Sequence, residues 1–146
     1  MVRILLAAVL LLAVTAAPMR AQSGDGGAVE IDAATYAELD ERTGLLTLRG
    51  TPVVVRRGGM ALRAPEMVYD TRQRILRAFG GVLFQDPFLT LEAAEATVWT
   101  AEDRVVAAGG VAARLGGNAD EIRLRALRLE IFGRERRVIA SGGVEV

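Results

Sequence analysis

Cysteine, histidine and lysine are all absent from this chain. Without cysteine there is no disulfide framework and no thiol nucleophile, so packing and backbone pairing must hold the fold. Without histidine and lysine, the common general bases and many of the common metal ligands are missing. Ser23 and Ser141 have no base partner. Most acids fall in turns or on outward strand positions, which disfavours a carboxylate pair acting on a glycoside. Glycine pairs follow strands, but no phosphate-loop lysine follows them. The expectation is a non-enzyme that needs no cofactor and no metal.

Charge of one sign is also lacking. The 18 basic residues, all arginine, balance 18 acids. Setting aside Arg3 and Arg20 leaves 16 arginines (18 − 2) and a net charge near −2 (16 − 18). No basic tract recommends nucleic acid as a partner.

Residues 1–21 read as an export signal. Arg3 supplies the positive start, Ile4 to Val14 is apolar, and a small-residue stretch leads to a cleavage point at Ala21-Gln22. Met19 is a poor match to the small residue preferred at −3, so an uncleaved anchor stays open as an alternative. The apolar run is short against the ~20 residues needed to span a bilayer. Residues 22–28 read as a flexible leader, and 29–146 as one domain, placed in the periplasm by the signal.

Within that domain one pattern recurs four times: an aliphatic residue, one residue, then alanine; a second aliphatic residue about a dozen positions on, one residue, a small residue; then glycine. The sets are Ile31, Ala33, Leu45, Thr47, Gly50; Leu62, Ala64, Leu76, Ala78, Gly81; Leu91, Ala93, Val105, Ala107, Gly110; and Leu124, Ala126, Val138, Ala140, Gly143. The glycines are spaced by 31 (81 − 50), 29 (110 − 81) and 33 (143 − 110). Such a period of roughly 30 residues predicts an array in which each unit covers its neighbour's apolar face.

The units read as strands, because the apolar period is two. Leu76, Ala78, Gly80, Val82 and Phe84 share a face, as do Val105 to Ala113 and Val138 to Val146 taken alternately. In the first half of each unit the phase slips by one residue: Leu62, Ala64, then Met67, Tyr69; Leu91, Ala93, then Ala96, Val98; Leu124, Ala126, then Leu129, Ile131. A one-residue slip swaps faces unless a bulge or bend absorbs it, so its recurrence predicts a built-in corner. Turn chemistry at 56–59, 85–87 and 115–118, alternating with 70–73, 100–103 and 133–136, predicts an antiparallel meander of strands of about ten residues. The helix-favouring run from Ala93 to Ala101 is assigned to a strand, because the corresponding segments carry Pro65 and an alternating Arg123-Leu124-Arg125.

These features resemble the OstA-like lipopolysaccharide-transport proteins, the LptA/LptC/OstA superfamily. The resemblance rests on Leu62-Arg63-Ala64-Pro65-Glu66-Met67-Val68-Tyr69-Asp70, on Leu91-Glu92-Ala93-Ala94-Glu95-Ala96 and on the Gly-Gly-Val triplets at 80–82, 109–111 and 142–144, and it covers about residues 29–146. It implies an all-β antiparallel jelly roll folded like a taco, with apolar inner walls that hold acyl chains. It also implies sheet edges that join modules into a bridge to the outer membrane. The implied partners are lipopolysaccharide or a related envelope lipid, other OstA-like modules of the LptC-like and LptD-like kinds, and further copies of the chain head to tail. Two alternatives stay open: a membrane-anchored LptC-like subunit, and an edge-pairing adaptor that holds no lipid.

The candidate groove residues are Leu62, Ala64, Met67, Leu76, Ala78, Phe84, Leu91, Ala93, Val105, Ala107, Leu124, Ala126, Ile131, Val138 and Ala140. Small alanines among larger walls either leave room for acyl chains, each buried CH₂ contributing about 0.8 kcal/mol, or let two walls pack dry. The residues alone leave both open; the resemblance favours the groove. Val144, Glu145 and Val146 are the candidate edge for pairing with another sheet. Arg56, Arg57, Arg134, Arg136 and Arg137 sit in turns, as solvated surface or as partners for lipid phosphate.

Overall fold

A computed structural model describes residues 29–116 and 120–146. The expected export signal and leader (1–28), and the second half of the turn expected at 115–118, lie outside the described residues. Among the described residues nine strands form one antiparallel sheet. They are β1 (Glu30–Ala33), β2 (Tyr36–Asp40), β3 (Leu45–Arg57), β4 (Met60–Asp70), β5 (Ile75–Gln85), β6 (Leu89–Trp99), β7 (Arg104–Leu115), β8 (Ile122–Phe132) and β9 (Arg137–Ser141). Each strand from β3 to β8 pairs with the next in sequence, and β1 and β2 share the outer edge of β3. The helix-favouring run is strand, since β6 spans it up to Trp99.

A line of irregularity crosses the middle of the sheet. The register shifts between Arg49 and Val53, Arg63 and Glu66, Phe79 and Val82, Glu92 and Glu95, and Ala108 and Val111. The expected corner is therefore real: Leu91, Ala93, Ala96 and Val98 are all buried despite their slipped phase, and so are Leu62, Ala64 and Met67. Bulges of this kind bend a strand and sharpen its twist. Here they crease the sheet into two walls. The upper wall ends at the turns near Gly58, Asp86 and Gly116; the lower ends at the turns near Gly44, Arg74, Asp103 and Arg136.

The lower turns share one design. Gly44, Arg74, Asp103 and Arg136 all have positive φ, between 52° and 76°, at spacings of 30 (74 − 44), 29 (103 − 74) and 33 (136 − 103). Asp40 and Asp70 open two of these turns by accepting two backbone amides each on one carboxylate oxygen. Neighbouring turns are tied together: Thr71 donates to Gly44 O, Thr100 to Arg74 O, and the Gly133 amide to Asp103 O.

The core lies between the walls. Val53, Val55, Leu62 and Leu91 from above and Leu48, Met67, Leu76, Val98 and Leu129 from below are fully buried. At about 1.5–3 kcal/mol for each large aliphatic side chain, this face dominates the stability.

Two of the four repeat sets depart from the common pattern. In the first unit Leu46 and Leu48 face inward, not Leu45 and Thr47, which are only half-buried. The β3 corner spans Gly50-Thr51-Pro52, one residue more than the two-residue corners of β5 and β7, and that extra residue shifts the phase below it. The last set does not keep to the inner face either. Val138 and Ala140 pack against the core, but β9 stops at Ser141 and Val144 and Val146 are exposed.

Candidate functional site

The creased sheet brings every expected groove residue to one side. Leu62, Ala64, Met67, Leu76, Ala78, Phe84, Leu91, Ala93, Val105, Ala107, Ala126 and Ile131 are buried. Leu124, Val138 and Ala140 are half-buried and pack against the same core. These side chains already cover one another, so an acyl chain enters this layer only if the walls part.

They part where upper and lower turns meet. A cavity of about 660 Å³ opens there. Its apolar lining is Met60, Phe84, Phe88, Leu89, Val105, Leu115, Ile131, Phe132 and Val138. Phe88 stands 69% exposed at the rim, held by the Asp86 carboxylate, which accepts the amides of Phe88 at 2.7 Å and Leu89 at 2.8 Å. The volume is in the range of ligand pockets, which run to ~1,000 Å³.

Phe88, Leu89, Met60 and Leu115 were missed by sequence reasoning. The available signal was a phenylalanine just after an Asp-Pro turn, where a large apolar side chain has little to pack against within its own hairpin.

Three arginines and two carboxylates, Asp86 and Asp103, stand at this mouth. Of the five candidate arginines, Arg57, Arg136 and Arg137 line the cavity. Arg57 crosses it: Nη1 donates to Asp103 Oδ1 at 3.0 Å and Nη2 to the Thr100 carbonyl at 2.6 Å. Arg137 lies 4.8 Å over the Phe132 ring and pairs with Glu135 at 3.4 Å. Arg56 and Arg134 are committed elsewhere, Arg56 to the Asp32 carboxylate and Arg134 to the Ala101 carbonyl.

The edges are open in a particular way. β9 covers only the lower half of β8. Beyond it the Leu127 amide donates to the Gly142 carbonyl at 2.8 Å, and an antiparallel bridge ties Glu145 to Arg125 with backbone bonds of 2.8 and 2.9 Å. Val144–Val146 therefore lie past the last strand, and Val146 is 92% exposed. Glu145 and Val146 border a 370 Å³ hollow that also reaches Leu91 and Leu124. Edge and inner layer thus adjoin at this end.

This arrangement has a solved counterpart. The chain superposes on LptH from Pseudomonas aeruginosa, described as the LptA homologous periplasmic component of the conserved lipopolysaccharide transport device, with a TM-score of 0.68 and 18% identity over 80% of this chain and 83% of that one. The fold is that of LptH. At 18% identity the likeness to LptH is one of architecture: an all-β antiparallel jelly roll. No family model and no curated protein matches the chain by sequence.

Proposed function

We propose that this chain is a periplasmic carrier that binds lipopolysaccharide, or a related envelope lipid, by its acyl chains and passes it to neighbouring modules of the same kind. The observation that carries this reading is the mouth. An apolar cavity leads into a wholly apolar inner layer, and cations stand at its rim, which suits an amphiphile with an anionic head. The likeness in fold to LptH supports the same reading, as does the export signal read from residues 1–21.

In this mechanism acyl chains enter past Phe88 and displace wall–wall contacts around Ala93 and Ala107, exchanging one apolar environment for another. Open edges at β1/β2 and at β9 pair with LptC-like, LptD-like or identical modules. Onward movement is driven by a partner.

The test is native mass spectrometry of residues 22–146 purified from a lipopolysaccharide-producing host, followed by lipid extraction. Co-purifying lipid A is the expected outcome. A lipid-free protein that also fails to bind added lipopolysaccharide overturns the carrier reading.

A second reading has its own support. Because the inner layer is already closed by its own side chains, the domain can serve as an edge-pairing adaptor with a dry core. That reading predicts assembly through the edges with no lipid in any member.

A further inference from the structure

Arg57 is poorly satisfied for a residue in its position. Its side chain is only 13% exposed. It belongs to the upper wall, yet its guanidinium reaches the lower wall, ending on Asp103 and on the Thr100 carbonyl. Its Nε is buried and makes no hydrogen bond to the protein. A buried guanidinium with an idle donor costs free energy that a better acceptor recovers. Its present partner Asp103 lies in the left-handed position of its turn, and its carboxylate fills the space that a side chain on Gly133 would need.

We propose that Arg57 is a latch across the mouth, and that the anionic head group of an entering amphiphile releases it by replacing Asp103 as the guanidinium's partner. A phosphate offers three acceptor oxygens and matches the planar fork, including Nε, better than one monodentate carboxylate does. Release frees the Gly58 turn from the Asp103 turn, and the walls can separate at the place where the apolar lining begins. The latch ties opening to arrival of a charged head, so neutral apolar molecules meet a closed mouth. This inference rests on the carrier reading for its ligand but not for its mechanics.

The chain's lack of cysteine makes the test clean. Spin labels at Gly59→Cys and Glu102→Cys report the distance between the walls. In the otherwise unchanged protein, dodecyl phosphate should lengthen that distance and dodecyl maltoside should not. Asp103→Asn should lengthen it with no ligand and strengthen dodecyl phosphate binding about tenfold, the worth of roughly one charge-assisted hydrogen bond.

Gly133→Ala, which pushes on the Asp103 carboxylate without touching Arg57, should do the same and guards against a fold lost through Asp103→Asn. Arg57→Met should open the walls and abolish the preference for the phosphate over the maltoside. An unchanged distance in both Asp103→Asn and Gly133→Ala overturns the latch. Equal opening by phosphate and maltoside overturns the head-group key. If neither amphiphile binds while both variants still open the walls, the latch stands and the carrier reading falls.

Discussion

Gly109 and Gly110 are neighbours on the crease with almost the same φ, 84° and 85°, but different surroundings. A Cβ on Gly109 would lie 2.6 Å from the Ala94 Cβ, whereas one on Gly110 would meet nothing within 4 Å. Both positions charge a side chain the same class of backbone penalty, about 1–2 kcal/mol for a left-handed conformation. Gly109→Ala adds an overlap between two strands whose relief costs about 1–3 kcal/mol more. Denaturant unfolding should therefore rank Gly109→Ala clearly below Gly110→Ala. Equal stabilities would mean that the crease yields freely and that the close approach at Ala94 is not what fixes the bend.

A second residue-scale expectation concerns acid. Partial desolvation pulls the Asp40 carboxyl upward, but hydrogen bonds from the Arg42 and Thr43 amides and the charge of Arg42 outweigh it and hold the carboxyl below its ordinary value of 3.8. A folded-state value that is lowered gives stability present above the unfolded value and lost as pH falls through the folded one. Asp40→Asn should accordingly lower stability at neutral pH, where the charged carboxylate contributes, leave the acid end little changed, and so flatten the acid side of the stability profile. A profile that keeps its acid slope in Asp40→Asn assigns that slope to other carboxylates.

At the scale of elements, the strands divide into those that are covered and those that are not. β4 to β8 are paired on both sides, while β9 offers its outer edge and the strip above it is guarded by the Leu127–Gly142 hydrogen bond and the Glu145–Arg125 bridge. Removing residues 141–146 takes away that bridge and the exposed Val144 and Val146 but no core residue. The truncated chain should fold, with an unchanged β-rich circular dichroism spectrum, and should fail to self-associate in light scattering at concentrations where the full domain does. A truncated chain that still assembles would move the contact to the β1/β2 edge.

The alanines belong to the same scale. Ala107 is fully buried in the layer between walls, so Ala107→Phe adds volume where the packing is already closed and should cost about 1–3 kcal/mol. It should also reduce lipid crosslinking if acyl chains share that layer. Unchanged crosslinking would place the lipid in the mouth alone.

For the whole molecule, what was legible in the sequence followed from local periodicity. The slipped phase of Leu91, Ala93, Ala96 and Val98 announced the crease, and the alternating turn chemistry announced the meander. The phase of Leu46 and Leu48 was hidden because Pro52 sits in a corner one residue longer than its counterparts, and a period-two pattern carries no record of such an insertion. The mouth was hidden for another reason. Arg57 and Asp103 are 46 residues apart and meet only once the crease has folded upper turns onto lower ones. Phe88 and Ile131 likewise share a cavity that no single hairpin contains.

That global closure has a kinetic consequence. If the inner layer must open before acyl chains insert, association has an opening step that no amount of lipid accelerates. In stopped-flow mixing with a fluorescent lipopolysaccharide, the observed rate should rise at low concentration and then level off at the opening rate. Asp103→Asn should raise that plateau, because it removes a tie between the walls. Bound lipid should in turn raise the melting temperature, as any ligand of the folded state does, by about 2.7 kcal/mol of stability at a hundredfold excess over its dissociation constant. A rate that climbs linearly with no plateau, in both proteins, would mean that the walls stand open for lipid before it arrives.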